Sequence, residues 1–150
     1  MSEINRKIAN LIKQGNIYSC NAAQGLVQVQ IGELISDWLP YFVPFAGAVA
    51  VHRPPSVGEN CIVLSPSGEL ANGLVLCGLA STQCPQPSQS ENETVIKYPD
   101  GAIIKYQHDS SHLDVSGIQT AKVQAASEVT VDCPQTTFTC LLYTSPSPRD

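Results

Sequence analysis

Residues 38–81, WLPYFVPFAGAVAVHRPPSVGENCIVLSPSGELANGLVLCGLAS, set the architecture of this chain. The segment consists of short apolar runs separated by proline and glycine, a pattern typical of short strands joined by tight turns. It predicts strands at residues 46–52, 61–64 and 74–78. Such short and closely spaced strands indicate a small β-barrel.

Proline and glycine place the turns of this barrel. Pro40 and Pro44 interrupt the aromatic segment 38–45, and because proline cannot donate to a β-ladder, this segment is predicted to be a loop laid over the barrel. Gly58 is predicted to form a tight turn into the next strand. Gly68 is predicted to supply the positive φ that the following hairpin turn needs.

The segment before the aromatic loop adds two strands and a helix. Apolar residues predict strands at 17–20 and 26–31, so residues 16–81 hold about five strands, the size of an OB-fold-like barrel. Residues 1–15 are predicted to form a short helix that Ser2 caps and Gly15 ends. The apolar residues that share one face of this helix are Ile4, Ile8, Leu11 and Ile12.

A linker and a hairpin follow the barrel. Residues 82–93 are predicted to be a linker, since the stretch lacks hydrophobic periodicity. Pro99, Asp100 and Gly101 then separate two apolar strands. They predict a hairpin turn, because proline fixes one turn torsion and glycine accepts the left-handed one.

Residues 120–133 alternate between small apolar and polar side chains, which predicts a thin β-ribbon. The residues predicted to be buried are Val123, Ala125, Val129, Val131 and Cys133. Burial of a valine contributes about 1.5 to 3 kcal/mol only if something covers it, and a single ribbon cannot cover itself. Two arrangements remain open: an edge hairpin packed on the barrel, or identical ribbons closed around a common axis.

Charge and cysteine usage argue against a nucleic-acid-binding protein and against a disulfide-rich secreted protein. The 150 residues carry a formal net charge of -5, and no basic stripe is present to bind phosphates. The alternative function is nevertheless an OB-fold module for single-stranded nucleic acid, with Tyr41, Phe42 and Phe45 as stacking groups. The six cysteines are scattered, with no CxxC pair and no hydrophobic leader. We therefore expect synthesis in a reducing cytoplasm and mostly buried thiols.

The sequence predicts no catalytic, cofactor or metal site. Candidate catalytic groups occur singly, as Ser65, Ser67, His52, Asp37, Glu59 and Glu69. The two glutamates flank a predicted hairpin and are expected to cap a turn or face solvent. Three residues separate His108 from His112, a spacing that brings ligands together on a helix but not across a strand and turn.

Four elements occur in a fixed order: INRKIANLIKQGNI, WLPYF, RPPSVGENCIVLSPSGELANGLVLCGLAS and YPDGAIIKY. In this order they resemble the baseplate assembly protein V family of contractile-tailed bacteriophages, over residues 4–133. The most specific part of the resemblance is the ordered set Pro55, Val57, Gly58, Glu59, Pro66, Gly68, Gly73 and Gly78.

The resemblance implies a homotrimeric spike in the virion tail baseplate. It implies an OB-like domain at the tail-tube end and, from residues 94–140 onward, a three-chain intertwined β-helix that pierces the host outer membrane. Identical ribbons closed around an axis are therefore favoured. The expected partners are further copies of the chain, the tail tube and other baseplate proteins, with no nucleic acid, no cofactor and no enzymatic activity. The family's tip can hold iron through a His-x-His element, which this sequence lacks.

The last ten residues, LLYTSPSPRD, abandon the alternating pattern and contain two Ser-Pro steps. We expect residues 141–150 to be non-native. On this expectation, most of the spike shaft and its tip are missing from the sequence.

Overall fold

The computed structural model describes residues 2–140, which are mainly β with one short helix. Six strands precede the linker: β1 Ile12–Asn21, β2 Leu26–Ile31, β3 Leu34–Ile35, β4 Leu39–Pro40, β5 Asn60–Leu64 and β6 Leu74–Leu79. Three follow it: β7 Glu93–Lys97, β8 Ile103–Gln107 and β9 His112–Ser116. The predicted mainly β class with a short N-terminal helix is confirmed, and the first sheet is consistent with an OB-like fold. The β-helix stays a prediction, and the expectation for residues 141–150 lies outside the described residues.

The helix α1 spans Glu3–Asn10 and begins where the sequence predicts. The Ser2 hydroxyl accepts a hydrogen bond from the Asn5 N–H at 3.1 Å. This bond satisfies one of the N–H groups that the first turn of a helix leaves free.

The predicted end of the helix at Gly15 is wrong, because the residues just before Gly15 pair with β5 and form part of a strand. Ile12 already lies in β1, opposite Leu64 of β5. Gly15 is inside the same strand, where a Cβ would come within 2.6 Å of both the Gln30 carbonyl oxygen and Val29. Glycine is needed here for close strand packing in the barrel, not for stopping a helix.

The long strand β1 is shared by both halves of the barrel. Its first half pairs with β5 and its second half with β2, so the strands are ordered β3-β2-β1-β5-β6. The barrel closes through β4, which pairs with β2. Directly after β4, Tyr41 bridges to Val75 of β6, and the Phe42 N–H donates to the Val75 carbonyl at 2.9 Å.

The barrel interior is filled by alternate residues of these strands. The buried cluster consists of Ile17, Val27, Val29, Leu39, Cys61, Val63 and Val75. Each large aliphatic member contributes roughly 1.5 to 3 kcal/mol through burial. This core fixes the barrel, so that the loops and the outer faces have defined positions.

The segment between residues 38 and 52 departs from the prediction in two ways. The short strand β4 occupies part of the predicted loop and ends at Pro40, whose missing N–H stops the ladder. The predicted strand at 46–52 is wrong. Only an isolated bridge joins Ala46 to Ala50, since these small, exposed residues offer little apolar surface to pack.

The second sheet has the order β7-β8-β9. The turn between β7 and β8 contains Gly101 at a φ of 91°, and the Asp100 carboxylate accepts a hydrogen bond from the Ala102 N–H at 3.0 Å. The sequence pattern does not indicate β9. The turn before that strand uses Ser111 at a φ of 55°, so neither glycine nor proline marks it.

Candidate assembly surfaces

One face of the sheet β7-β8-β9 is apolar and uncovered. The register places Ile96 opposite Ile104, Ile104 opposite Val115, and Tyr106 opposite Leu113. Directly opposed residues share a face of the sheet. These five side chains, here called the apolar sheet face, are all exposed. Contiguous exposed apolar surface of this kind is a candidate interaction site.

The opposite face of the same sheet is more polar, although it includes the half-buried Val95 and Ile103, and it is partly covered by the chain itself. Lys105 lies opposite Asp114, and both are half-buried. Linker residues 86–90 lie against β7, where the Ser88 hydroxyl donates to a Glu93 carboxylate oxygen at 2.6 Å. The sheet thus turns its more polar face toward its own chain and its apolar face outward.

Residues 117–140 continue from this sheet without a helix or strand, and all of their side chains are exposed. The predicted axial valines illustrate this: Val123 is 80% exposed, Val129 59% and Val131 71%. Ala125 and Cys133 are exposed as well. One subunit alone does not shield the residues whose alternation predicts burial.

Glu59 is a buried carboxylate just before β5. Its two oxygens accept hydrogen bonds from the two Nη atoms of Arg53, each at 2.9 Å, and one oxygen also accepts from the Ser56 N–H at 3.2 Å. Burial alone would raise the pKa of Glu59. The bonds from Arg53, Ser56 and the Gly78 backbone outweigh it and hold the pKa below its ordinary value. The ion pair therefore fixes the turn that leads into β5.

The ion pair also lines a cleft where the barrel, the linker and the second sheet meet. The cleft has a volume of about 590 Å³, and Lys97 and Tyr98 form part of its wall on the side of the second sheet. Gly58 has a φ of 91°, and a Cβ there would lie 2.9 Å from the Gln83 side chain. The linker thus packs against the barrel at this turn.

The helix α1 presents Ile4 and Ile8 to solvent, 70% and 60% exposed. Its other side is held on the β5–β6 loop by the Arg6 guanidinium, which donates to the Glu69 carboxylate at 3.0 Å. Gly68 in that loop has a φ of 73°, and a Cβ there would lie 2.7 Å from the helix backbone. Close packing on one side therefore leaves the apolar side open.

The structure does not bring the candidate catalytic groups together. Glu59 and Glu69 lie at opposite ends of β5 and bind different arginines. Ser65 is fully buried, and within residues 2–140 its hydroxyl has no hydrogen-bond partner. The part of the chain that the structure describes holds no group of three or more His, Cys, Asp or Glu side chains suited to a metal ion. Residues 2–140 also contain no helix that is long and apolar enough to span a membrane.

The aromatic residues of the alternative function are only partly available. Tyr41 is half-buried against the core, and burial raises the pKa of its hydroxyl. Phe42 and Phe45 are exposed. A stacking platform would therefore rest on two side chains next to a proline-rich loop, which gives little support for nucleic-acid binding.

The cysteines follow the prediction only in part. Cys61 is fully buried, as predicted, and Cys20, Cys77 and Cys84 are half-buried. Cys133 and Cys140 are exposed in the single chain. The predicted burial of Cys133 refers to the axis of a trimer, so it stays a prediction.

Comparison with known proteins relates the barrel to phage and secretion machinery. Residues 13–79, which run from β1 through β6, match a family model described as the Type VI secretion system/phage-baseplate injector OB domain. The chain is also 39% identical over 134 residues to the spike protein of Escherichia phage P2. That match covers 89% of this chain and 64% of the phage protein, so the chain spans less than two thirds of that relative's length.

Proposed function

We propose, since this chain belongs to the phage baseplate spike family, that three copies of it form the central spike of a contractile phage tail. The observation that carries the proposal is the apolar sheet face, which is exposed in the single chain while the more polar face lies against the chain's own linker. Packing three such faces around one axis would cover them all. It is also the arrangement expected of a symmetric homo-oligomer.

The size of the apolar sheet face sets what it contributes to association. Full burial of its five side chains would contribute at most roughly 7 to 15 kcal/mol per subunit, at about 1.5 to 3 kcal/mol each. Association costs on the order of 4 to 15 kcal/mol in lost freedom of motion. The five side chains are already about half-buried in the single chain, so the gain lies well below its upper limit, and the following ribbon is expected to add to it.

The ribbon supplies the second part of the proposed axis. Its predicted axial residues are Val123, Ala125, Val129, Val131 and Cys133, all exposed in the single chain. In three intertwined copies these residues would line a dry core while the backbone groups of neighbouring chains pair. No free strand edge would then remain, and the shaft would be stiff.

The proposed role is mechanical. The barrel end would attach to the tail tube and other baseplate proteins, and the opposite end would be driven through the host outer membrane when the tail contracts. No catalytic step is required of the chain. It would be made in the host cytoplasm and act as part of the virion tail.

Light scattering coupled to gel filtration tests the oligomeric state. The expected mass is three times the 16.0 kDa of one chain. Val115→Asp places a carboxylate on the apolar sheet face and is expected to reduce the trimer fraction. Its matched control, Ser116→Asp, adds the same charge to the next residue of β9, on the polar face, and is expected to leave the trimer intact.

Two results would count against the proposal. A wild-type protein that stays monomeric at micromolar concentration would show that nothing covers the apolar sheet face. Equal loss of trimer in both variants would show that added charge, not the face, is responsible.

A further inference from the structure

Cys61 and Cys77 lie directly opposite one another on the antiparallel strands β5 and β6. Directly opposed residues in such strands have Cα atoms about 4.5 to 5.5 Å apart. That separation falls within the range of about 4.4 to 6.8 Å found in disulfides. Cys61 is part of the buried core and Cys77 packs against the same core, so both side chains lie on the inner side of the barrel wall.

We propose that Cys61 and Cys77 form a reversible thiol–disulfide site that reacts with small disulfides such as oxidised glutathione. Cys77 is half-buried and is reached first, whereas Cys61 is fully buried. The Cys77 thiolate attacks one sulfur of oxidised glutathione, which forms a mixed disulfide and expels one glutathione. The Cys61 thiolate then attacks the Cys77 sulfur and expels the second glutathione.

The reaction is balanced in atoms and electrons. The two cysteines lose two protons and two electrons and gain one S–S bond. Oxidised glutathione gains both electrons, and its two halves carry the two protons away as thiols. An excess of reduced glutathione reverses the sequence through the same mixed disulfide.

The surroundings of the two thiols make the exchange slow at neutral pH. Burial raises the pKa of Cys61 to about 12 and that of Cys77 to about 11. Only the thiolate attacks, so the rate of cross-linking is expected to rise about tenfold per pH unit in the range from 7 to 9. The Cys61 thiol also donates to the Gly15 carbonyl at 3.5 Å and must rotate away from it before it can reach Cys77.

Cys20 is the competing thiol. It packs against the same core but lies on β1, opposite Val27 of β2. It therefore does not face Cys61 or Cys77 across a shared pair of strands. The register favours the Cys61–Cys77 bond over a bond to Cys20.

The disulfide would link β5 covalently to β6, the strand that follows it across the intervening loop. It is expected to raise the unfolding midpoint, since a covalent link restricts the unfolded chain. Cytosolic thiols are kept reduced, so the disulfide would form only after the virion leaves the host. This consequence rests on the proposed function. The chemistry itself is independent of oligomeric state.

Peptide mapping of the full chain tests the site. The folded protein is incubated with oxidised glutathione at pH 8.5, its remaining thiols are alkylated, and it is digested after glutamate without reduction. Cleavage at Glu59, Glu69 and Glu91 separates peptide 60–69, with Cys61, from peptide 70–91, with Cys77 and Cys84. The two peptides are expected to remain joined.

Variants assign the bond. Cys84→Ser and Cys20→Ser are expected to retain the joined peptides, and Cys77→Ser is expected to lose them. The oxidised wild type is expected to unfold at higher denaturant concentration than the reduced protein. The proposal is overturned if the joined peptides are absent from the folded wild type, if they persist in Cys77→Ser, or if oxidation leaves the unfolding midpoint unchanged.

Discussion

Replacing Arg53 with methionine is expected to destabilise the barrel, because it leaves the Glu59 carboxylate buried without its main partner. The substitution removes two charge-assisted hydrogen bonds of 2.9 Å. Breaking a fully buried ion pair costs roughly 3 to 5 kcal/mol. Solvent screens part of this pair, since the Arg53 side chain is 51% exposed while that of Glu59 is 8% exposed. We therefore expect the free energy of unfolding to fall by about 2 kcal/mol at pH 7.

Urea unfolding, followed by the fluorescence of the single tryptophan, Trp38, measures this loss and its dependence on pH. The pKa of Glu59 is lowered in the folded protein, so the pair stabilises the fold above pH 4.5. That stability is lost as the pH falls through the lower folded-state pKa. In Arg53→Met, burial dominates and raises the pKa of Glu59, so the variant's deficit is expected to shrink as the pH falls from 7 to about 4.

Arg6→Met is the matched control. It removes an arginine that likewise donates to carboxylates, here those of Glu3 and Glu69, but all three side chains are substantially exposed. Exposed pairs contribute little, so this variant is expected to lose much less stability than Arg53→Met. Equal losses in the two variants, or a deficit in Arg53→Met that is the same at pH 4 and pH 7, would refute the reasoning.

Three further substitutions test separate features. Gly101→Val is expected to lower the free energy of unfolding by roughly 1 to 3 kcal/mol in a thermal melt, because a φ of 91° strains a β-branched residue even though no atom lies within 4 Å of its Cβ. Gly47 has the same open space but no positive φ, so Gly47→Val should be nearly neutral in the same measurement. Ser65→Ala is expected to leave the free energy of unfolding unchanged or raise it by about 1 kcal/mol, because it removes a buried hydroxyl without a partner; a clear loss in urea unfolding would contradict this. Val129→Asp is expected to lower the trimer mass fraction in light scattering, because three carboxylates would converge in a low-dielectric core, whereas Gln124→Asp on the other side of the ribbon should not.

The sequence predicts those parts of the barrel that local chemistry determines. The Ser2 cap depends on neighbouring residues alone, and the strands around Cys61 and Val75 are short apolar runs bounded by glycine and proline. The end of the helix depends on distant residues. Ile12 fits the helical period equally well, and only its pairing with Leu64 places it in a strand.

The apolar sheet face is also hard to predict from the sequence, because it too depends on pairing between distant residues. Each strand contributes only one or two residues to the apolar sheet face, and Ile104 meets Val115 only through the register of β9. No glycine or proline precedes β9, because Ser111 makes its turn. The sequence instead indicates the ribbon at residues 120–133, whose alternation is long enough to detect. The sequence does not predict the ion pair between Arg53 and Glu59 either, because the pair depends on the conformation of the turn between these residues.

If three copies associate as proposed, the outward-facing apolar side of β7-β8-β9 stays uncovered in each newly synthesised subunit until it meets the other two. Transiently exposed apolar surface of this kind is prone to aggregation, so assembly would compete with aggregation while the chain is being produced.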